Sequence, residues 1–511
     1  MALGRAAITL FEVLGFCLAF ASLGNLLLRY LRFEFESDAE HFLSAVAVGL
    51  VTTEVLLFMV QLTQRIRLGC WLISGLLCVL LLRNWSRVWE KARGALREMA
   101  PQSRSSRFLL ILIAIVASVE FLSALAPLTG SDALQYHFTI QKQILEYGFH
   151  PIFSNSHSFA CGQHHLLILL GLGLGSEKLS LGFIFLGGVL TAASLACLAS
   201  RWASPVIVTG FALIFLLSPL AFWQLTSSGS PDIYMAFLAS TAVIVLVQEK
   251  GGASWRQALL VGLLAGGVAG AKYTGCFLAA ALALAAVIEL RSVVSASFLL
   301  AGSLASGIWP YLRNLAWTGN PIFPFLAARL SPGLVTSAAL ANMYTDTGTA
   351  TRHSLIQVLP FVFFAGVRPS GAGLWEFYGP TVLVLAPLTI LAIKNERRWR
   401  VLILVWLASS LGISSTSGLA RFLLPVYPIA LACSAAGFEQ TSHKGWKIVR
   451  GIAGSLLVFA LLAGAVGLVL YCKPALRVAV GLEDEEKYLK ERAPDYQIAQ
   501  TINALLGRQE S

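Results

Sequence analysis

Between two long apolar segments the chain carries Gly130-Ser131-Asp132-Ala133-Leu134-Gln135-Tyr136-His137. A carboxylate just beyond a helix end, with a tyrosine and a histidine a helical turn on, is costly to hold near lipid and so marks a working site. Asp132 has the chemistry of a base or a metal ligand and is the centre of the candidate active site, with Tyr136 and His137 as candidate substrate contacts. A second polar turn, Thr226 to Asp232, puts Asp232 at the start of an apolar helix, where a carboxylate also serves as an N-terminal cap. Three cations, Lys272, Arg313 and Arg421, fall in polar breaks further on.

The elements that must position these residues are membrane helices. The 511 residues are 57% hydrophobic and 12% charged, far below the roughly 25% charged content of soluble domains. Nearly charge-free runs of about 15 to 22 residues recur about fourteen times, each suited to a ~30 Å hydrocarbon core. They run from Ile8 to Leu28, His41 to Leu62, Leu68 to Leu82, Phe108 to Ala126, Leu179 to Leu198, Val206 to Phe222 and Ile233 to Val247. The series continues from Ala258 to Ala271, Thr274 to Leu290, Val294 to Tyr311, Tyr378 to Ile393, Val401 to Ile413, Phe422 to Gly437 and Gly451 to Tyr471. Runs of this length without period-two alternation predict an all-α polytopic protein and not a barrel. The first apolar run is too long for a signal peptide and is expected to be a retained helix. Of eight cysteines most lie in apolar runs and read as small buried hydrophobes; Cys161 and Cys472 lie in polar stretches, and a bridge between them stays open.

A net charge of +11 suggests nucleic acid in a soluble protein, but here it records which loops stay in the cytoplasm. Arg83, Arg87, Lys91, Arg93, Arg97, Arg104 and Arg107 crowd one stretch, and on the same parity come Arg201, Lys250 with Arg256, Arg291, Lys394 to Arg400, and Lys444, Lys447 and Arg450. The alternate breaks therefore face outward, into the periplasm of a bacterium, as does the N-terminus. They comprise Leu128 to Gln163, Thr226 to Asp232, the Lys272 turn, Arg313 to Phe377, Arg421 and the tail after Tyr471. Both acids and all three cations are thus expected on one face. The bland alternative is that interfacial charges anchor helix ends.

Three parts are expected: N-terminal helices with a basic cytoplasmic loop (1–107), a transmembrane core (108–471) and a short outer tail (472–511) in which Tyr496 to Leu506 forms an amphipathic helix. In the first outward loop, Phe138 to Tyr147 reads as an amphipathic helix. His165 to Leu174 is too short to span, lies in the interface or re-enters, and with it forms a lid over a membrane-facing cavity. Gly262, Gly266 and Gly270 form a smooth stripe for close helix packing. Five of the eight histidines, His137, His150, His157, His164 and His165, fall in that loop without metal-ligand spacing. Glu12, Glu54 and Glu120 lie within apolar runs and must be neutral or find a partner, and Glu120 is near enough to the outer surface to join the site. Trp317, Trp375, Tyr378 and Tyr427 read as an interfacial aromatic belt, with sugar stacking as the alternative for one of them.

The stretches Ser131 to Phe138 and Ser230-Pro231-Asp232-Ile233-Tyr234-Met235-Ala236-Phe237 resemble the two acidic signatures of multi-spanning GT-C glycosyltransferases. Gly270-Ala271-Lys272-Tyr273-Thr274-Gly275, Arg313-Asn314, Trp317 to Phe325, and Arg421-Phe422-Leu423-Leu424-Pro425-Val426-Tyr427-Pro428 follow in the order of bacterial members similar to the dolichyl-phosphate-mannose and aminoarabinose transferases. The resemblance covers Phe108 to Gly437. It departs from the usual pattern in three extra helices before the acidic loop, in the short tail and in lacking a second acid beside Asp132. It implies inverting transfer of a sugar from a polyprenyl-phosphate donor to a glycan, lipid or protein acceptor on the outer face of the bacterial inner membrane. Asp132 would be the base and Asp232 a second catalytic carboxylate. Tyr136, His137, Lys272, Tyr273, Arg313 and Arg421 would bind substrate, the cations holding the lipid phosphate. A divalent metal, Mg or Mn, stays open.

Two other classes remain open. A secondary transporter would place its polar residues near the midplane in repeated halves, whereas these gather at one surface. A noncatalytic subunit keeping the fold is the other, and the missing second acid is its support.

Overall fold

Backbone in lipid must satisfy its own hydrogen bonds, and among the described residues every regular element is a helix. The computed structural model describes residues 2–100, 103–160, 162–249, 254–346, 396–443, 445–493 and 495–507. The expected segment from 378 to 393, Trp375 and Cys161 lie outside them.

Three helices, α1 (Ala2–Tyr30), α2 (Asp38–Leu62) and α3 (Ile66–Glu98), pack together at the N-terminus. The basic stretch expected as a loop is instead largely helix, because α3 runs unbroken for 33 residues. Val88, Ala92 and Ala95 stay buried at i, i+4, i+7 spacing while the arginines occupy the other faces. Then come α4 (Arg104–Ala124), α5 (Thr139–Tyr147), α6 (His165–Gly173), α7 (Glu177–Ala199), α8 (Pro205–Leu216), α9 (Pro219–Trp223), α10 (Asp232–Leu246) and α11 (Ser254–Ala271). They are followed by α12 (Gly275–Leu290), α13 (Val293–Gly307), α14 (Trp309–Thr318), α15 (Ala327–Leu330), α16 (Ser337–Asp346), α17 (Arg397–Ser414), α18 (Tyr427–His443) and α19 (Lys447–Ala479). The tail adds α20 (Glu485–Arg492) and α21 (Tyr496–Gly507), the latter where an amphipathic helix is expected.

Seven of these helices are long and apolar enough to cross a membrane, or nine if each of two bent pairs is one span, which makes this an integral membrane protein. The gap from about fourteen expected segments has a physical source. Pro219 and Pro310 each stand in the first turn of a new helix, so α8 and α9 meet at 52° and α13 and α14 at 60°. The α10 and α12 helices are apolar but only 15 and 16 residues long, about 24 Å at most. The α6 helix, expected to lie in the interface or re-enter, has Leu166 to Leu170 all buried and packs among α2, α3, α5 and α7.

Charged residues separate to two ends. At one, Arg201 and Arg398 each stand 3.0 Å from Glu36, Gln248 donates to Glu40, and Lys91 lies 2.7 Å from Asp38. At the other, Gln64 between α2 and α3 exchanges two hydrogen bonds with the Phe149 backbone, on the segment that follows Asp132. The α11 and α13 helices cross closely through the expected glycine stripe. A Cβ at Gly266 would come 2.3 Å from the Ser303 carbonyl oxygen, and one at Gly307 2.2 Å from that of Gly266. This crossing fixes where α11 ends and so where Lys272 emerges.

Candidate active site

Asp232 heads α10, whose fifteen residues are all buried. Its side chain is fully buried; the Ser230 hydroxyl donates to Oδ2, and Lys272 Nζ lies 3.0 Å from the same oxygen. Asp232 Oδ1 has no hydrogen-bond partner among the described residues. Lys272 sits in the turn between α11 and α12, a quarter exposed, so its ammonium has a buried side toward Asp232 and an open side.

Asp132 Oδ2 lies 2.8 Å from Arg421 Nη1, both side chains about one-fifth exposed. Arg421 belongs to the tight turn Ala420–Val426 before α18. The next residue, Phe422, joins the two pairs: Lys272 Nζ is 4.3 Å and Arg421 Cζ 5.5 Å from its ring centroid. The two acids, remote in sequence, thus belong to one site. Each adjoins a π-helical turn, Ala133–His137 after Asp132 and Gln224–Ser228 before Asp232, a deformation common at functional sites. The second turn ends at Gly229, at φ +66, where a Cβ would come 3.1 Å from the Phe138 ring and 3.6 Å from His137 Cβ. Glycine suits both the left-handed backbone and the contact between the acid-bearing loops.

Behind Asp132 stands an aromatic wall. The Tyr136 ring stacks on His157 at 4.2 Å between centroids, and His137 Nδ1 meets His165 Nε2 in a hydrogen bond. Burial, and then the Asp132 carboxylate, hold the Tyr136 hydroxyl well above its ordinary pKa. Burial is also the main reason that His137 is pushed well down and His165 down to about 3, with the neighbouring histidines and Lys272 adding to it. Both rings are therefore neutral, and one donates while the other accepts.

Not every expected contact is a substrate contact in form. The Tyr273 hydroxyl donates to the Phe323 carbonyl at 2.6 Å and accepts from the Asn314 amide, which also donates to the Phe159 carbonyl. Tyr273 thus clamps the segment between α5 and α6 to the segment after α14, and Gly162 and Gln163 add backbone bonds to Ala271 and Gly270. Arg313 lies on α14 over the Trp317 ring and holds Asn314 Oδ1. It lines a neighbouring cavity with His157 and His165. Glu120 is buried on α4 near Cys472, with neither oxygen partnered among the described residues. Glu54, expected to be neutral or to find a partner, has one: its Oε1 lies 2.5 Å from His164 Nδ1, both fully buried. A lone carboxylate in an apolar run was the available signal. Among the described residues no three His, Cys, Asp or Glu side chains are grouped to hold a metal ion.

The profile of the family described as "Domain of unknown function (DUF8201)" matches residues 7–427. No curated protein matches the chain. Among solved structures, the chain is similar to ArnT from Cupriavidus metallidurans bound to undecaprenyl phosphate, at 15% identity and TM-score 0.46, over 74% of this chain and 73% of that one. The apo form of the same protein gives 15% identity and TM-score 0.45 over 74% and 78%. The apo oligosaccharyltransferase of Archaeoglobus fulgidus gives 13% identity and TM-score 0.37 over 73% and 56%.

Proposed function

The chain belongs to the DUF8201 family, and from the geometry of its site we propose that it is a GT-C-type membrane glycosyltransferase. In this reading it transfers a sugar with inversion from a polyprenyl-phosphate donor to an acceptor at the periplasmic face of a bacterial inner membrane. The observation that supports this most is the meeting of two acid–cation pairs, Asp132 with Arg421 and Asp232 with Lys272, around Phe422 at the end of the bundle opposite the basic loops.

Asp132, the more exposed of the acids, takes the proton from the acceptor hydroxyl as its oxygen attacks the anomeric carbon. The bond from that carbon to the lipid-phosphate oxygen breaks, and the phosphate departs with the electron pair. Lys272 and Arg421 neutralise the charge that develops there, Arg421 through a planar fork of donors and Lys272 as a point charge. Asp232, fully buried, is the second carboxylate and acts through Lys272, which it holds in place. Tyr136 and His137 line the acceptor side, Arg313 serves the adjoining cavity, and Tyr273 positions the Lys272 turn. No step is assigned to a metal.

The test is a transfer assay of purified protein with a panel of polyprenyl-phosphate sugars and candidate acceptors, comparing wild type with Asp132→Asn. Transfer by the wild type, reduced by about 10² or more in the variant, is the expected result. Equal rates for the two proteins sink the assignment of the base, and no transfer from any donor sinks the enzyme reading.

A further inference from the structure

The third helix is longer than a membrane is thick. Its 33 residues, at about 1.5 Å each, make about 50 Å, against a hydrocarbon core of ~30 Å. It starts at Ile66, just after Gln64, whose side chain bonds to Phe149 at the end that carries the acids. Near its last turns Lys91 pairs with Asp38, and Glu98 accepts from the Asp38 and Ala39 backbone nitrogens, which fixes it to the opposite end of the bundle. About twenty residues cross the core, so the helix reaches the depth of the lipid head groups near Trp85.

The face it presents there has a definite chemistry. Trp71, Leu82, Trp85, Trp89 and Leu96 are all exposed and follow one another at 11, 3, 4 and 7 residues, each step close to whole helical turns. One apolar stripe therefore runs from the membrane span past the edge of the core, while Asn84, Val88, Ala92 and Ala95 are buried behind it. Trp85 and Trp89 stack, their rings 8° from parallel and 5.8 Å apart at the centroids. Arg83, Arg87, Arg93 and Arg97 flank the stripe, exposed and without an ion pair among the described residues. Glu90 is the only acid between Arg83 and Arg97 in the sequence, so positive charge is in surplus. Unpaired guanidinium groups favour an oxyanion, and an indole favours apolar matter at its ring with an acceptor at its N–H. An anionic phospholipid meets both at one depth, its acyl chains along the stripe and its phosphate at the arginines. A soluble polyanion would leave the tryptophans in water, and an apolar helix would leave the arginines without an anion.

We propose that this face of α3 binds anionic phospholipid head groups in the leaflet opposite the acid–cation site. The surface belongs to the N-terminal helices, which the reaction above does not use, and it is independent of that reaction.

The experiment is native mass spectrometry of the purified full-length protein in neutral detergent, with equal amounts of phosphatidylglycerol and phosphatidylcholine of the same acyl chains. The wild type retains phosphatidylglycerol in preference. Arg87→Gln with Arg93→Gln lowers that preference at least about tenfold, and Trp85→Ala with Trp89→Ala, which keeps every charge, lowers phosphatidylglycerol retention several-fold. Arg291→Gln with Arg400→Gln removes two exposed arginines from the same end of the bundle and leaves the preference as in the wild type. Melting in lipid-free detergent reports folding, and should one α3 variant fail to fold, the other decides. A wild type that retains both lipids equally overturns the proposal. So does a preference that the α3 variants keep, or one that Arg291→Gln with Arg400→Gln loses to the same degree. A wild-type dimer that the tryptophan variant dissolves, with no lipid preference, gives the face to a second copy and overturns it as well.

Discussion

Lys272 rests on the face of Phe422, its ammonium 4.3 Å from the ring centroid, while the same nitrogen lies 3.0 Å from Asp232 Oδ2. One cation thereby spans the fully buried acid and the aromatic ring that also carries Arg421. Replacing Phe422 by leucine removes a cation–π contribution of about 0.5 to 2 kcal/mol at each contact. The expected outcome is a several-fold rise in KM for the lipid donor with little change in kcat. Steady-state kinetics would expose an equal fall in kcat as the contrary result.

Removing the partner of a buried charge is more severe than removing the pair. Lys272→Met leaves Asp232 buried without its cation and is expected to cost about 3 to 5 kcal/mol, whereas Asp232→Asn with Lys272→Met recovers much of the loss. Denaturation of the detergent-solubilised proteins measures both. A double variant less stable than the single one would contradict the pairing.

Acid should destabilise the fold through its neutral histidines. His165 titrates near 6.5 when free and near 3 in the folded protein, because burial disfavours its charged form. Between those values the unfolded chain binds the extra proton, so stability rises with pH across this window and is fully present above about 6.5. Melting temperature should fall as pH is lowered from 6.5 toward 3, and His165→Gln should flatten that slope. An unchanged slope would show that other groups govern it.

The crossing of α11 and α13 leaves no room for a side chain. Gly307→Val would set its Cβ against the Gly266 carbonyl, at a spacing of 2.2 Å before any movement. The helices must part, and the Lys272 turn moves with α11. Expression in folded form should drop sharply, and any folded fraction should bind polyprenyl phosphate more weakly, as gel filtration and binding would report. Wild-type behaviour in both would mean the contact is not needed.

Much of this site is legible in the sequence. The run of arginines from Arg83 placed Asp132, Asp232, Lys272, Arg313 and Arg421 on the same side by parity alone, because each apolar run reverses direction. Which acid meets which cation could not be read, since Asp132 and Arg421 are 289 residues apart and their pairing depends on how α18 docks. Tyr273 is a substrate contact by resemblance; its bonds to the Phe159 and Phe323 carbonyls, on remote segments, leave no trace in a sequence. The helix breaks at Pro219 and Pro310 fall inside runs that read as single spans in hydropathy. Glu54 signalled that a partner must exist, and only packing identified His164.

At rest Lys272 and Arg421 are each already occupied by one of the protein's own carboxylates. On the proposed transferase reading, an incoming lipid phosphate displaces Asp132 from Arg421, and that exchange unhooks the group proposed to accept a proton. On the same reading, the base is therefore latched until the lipid phosphate docks.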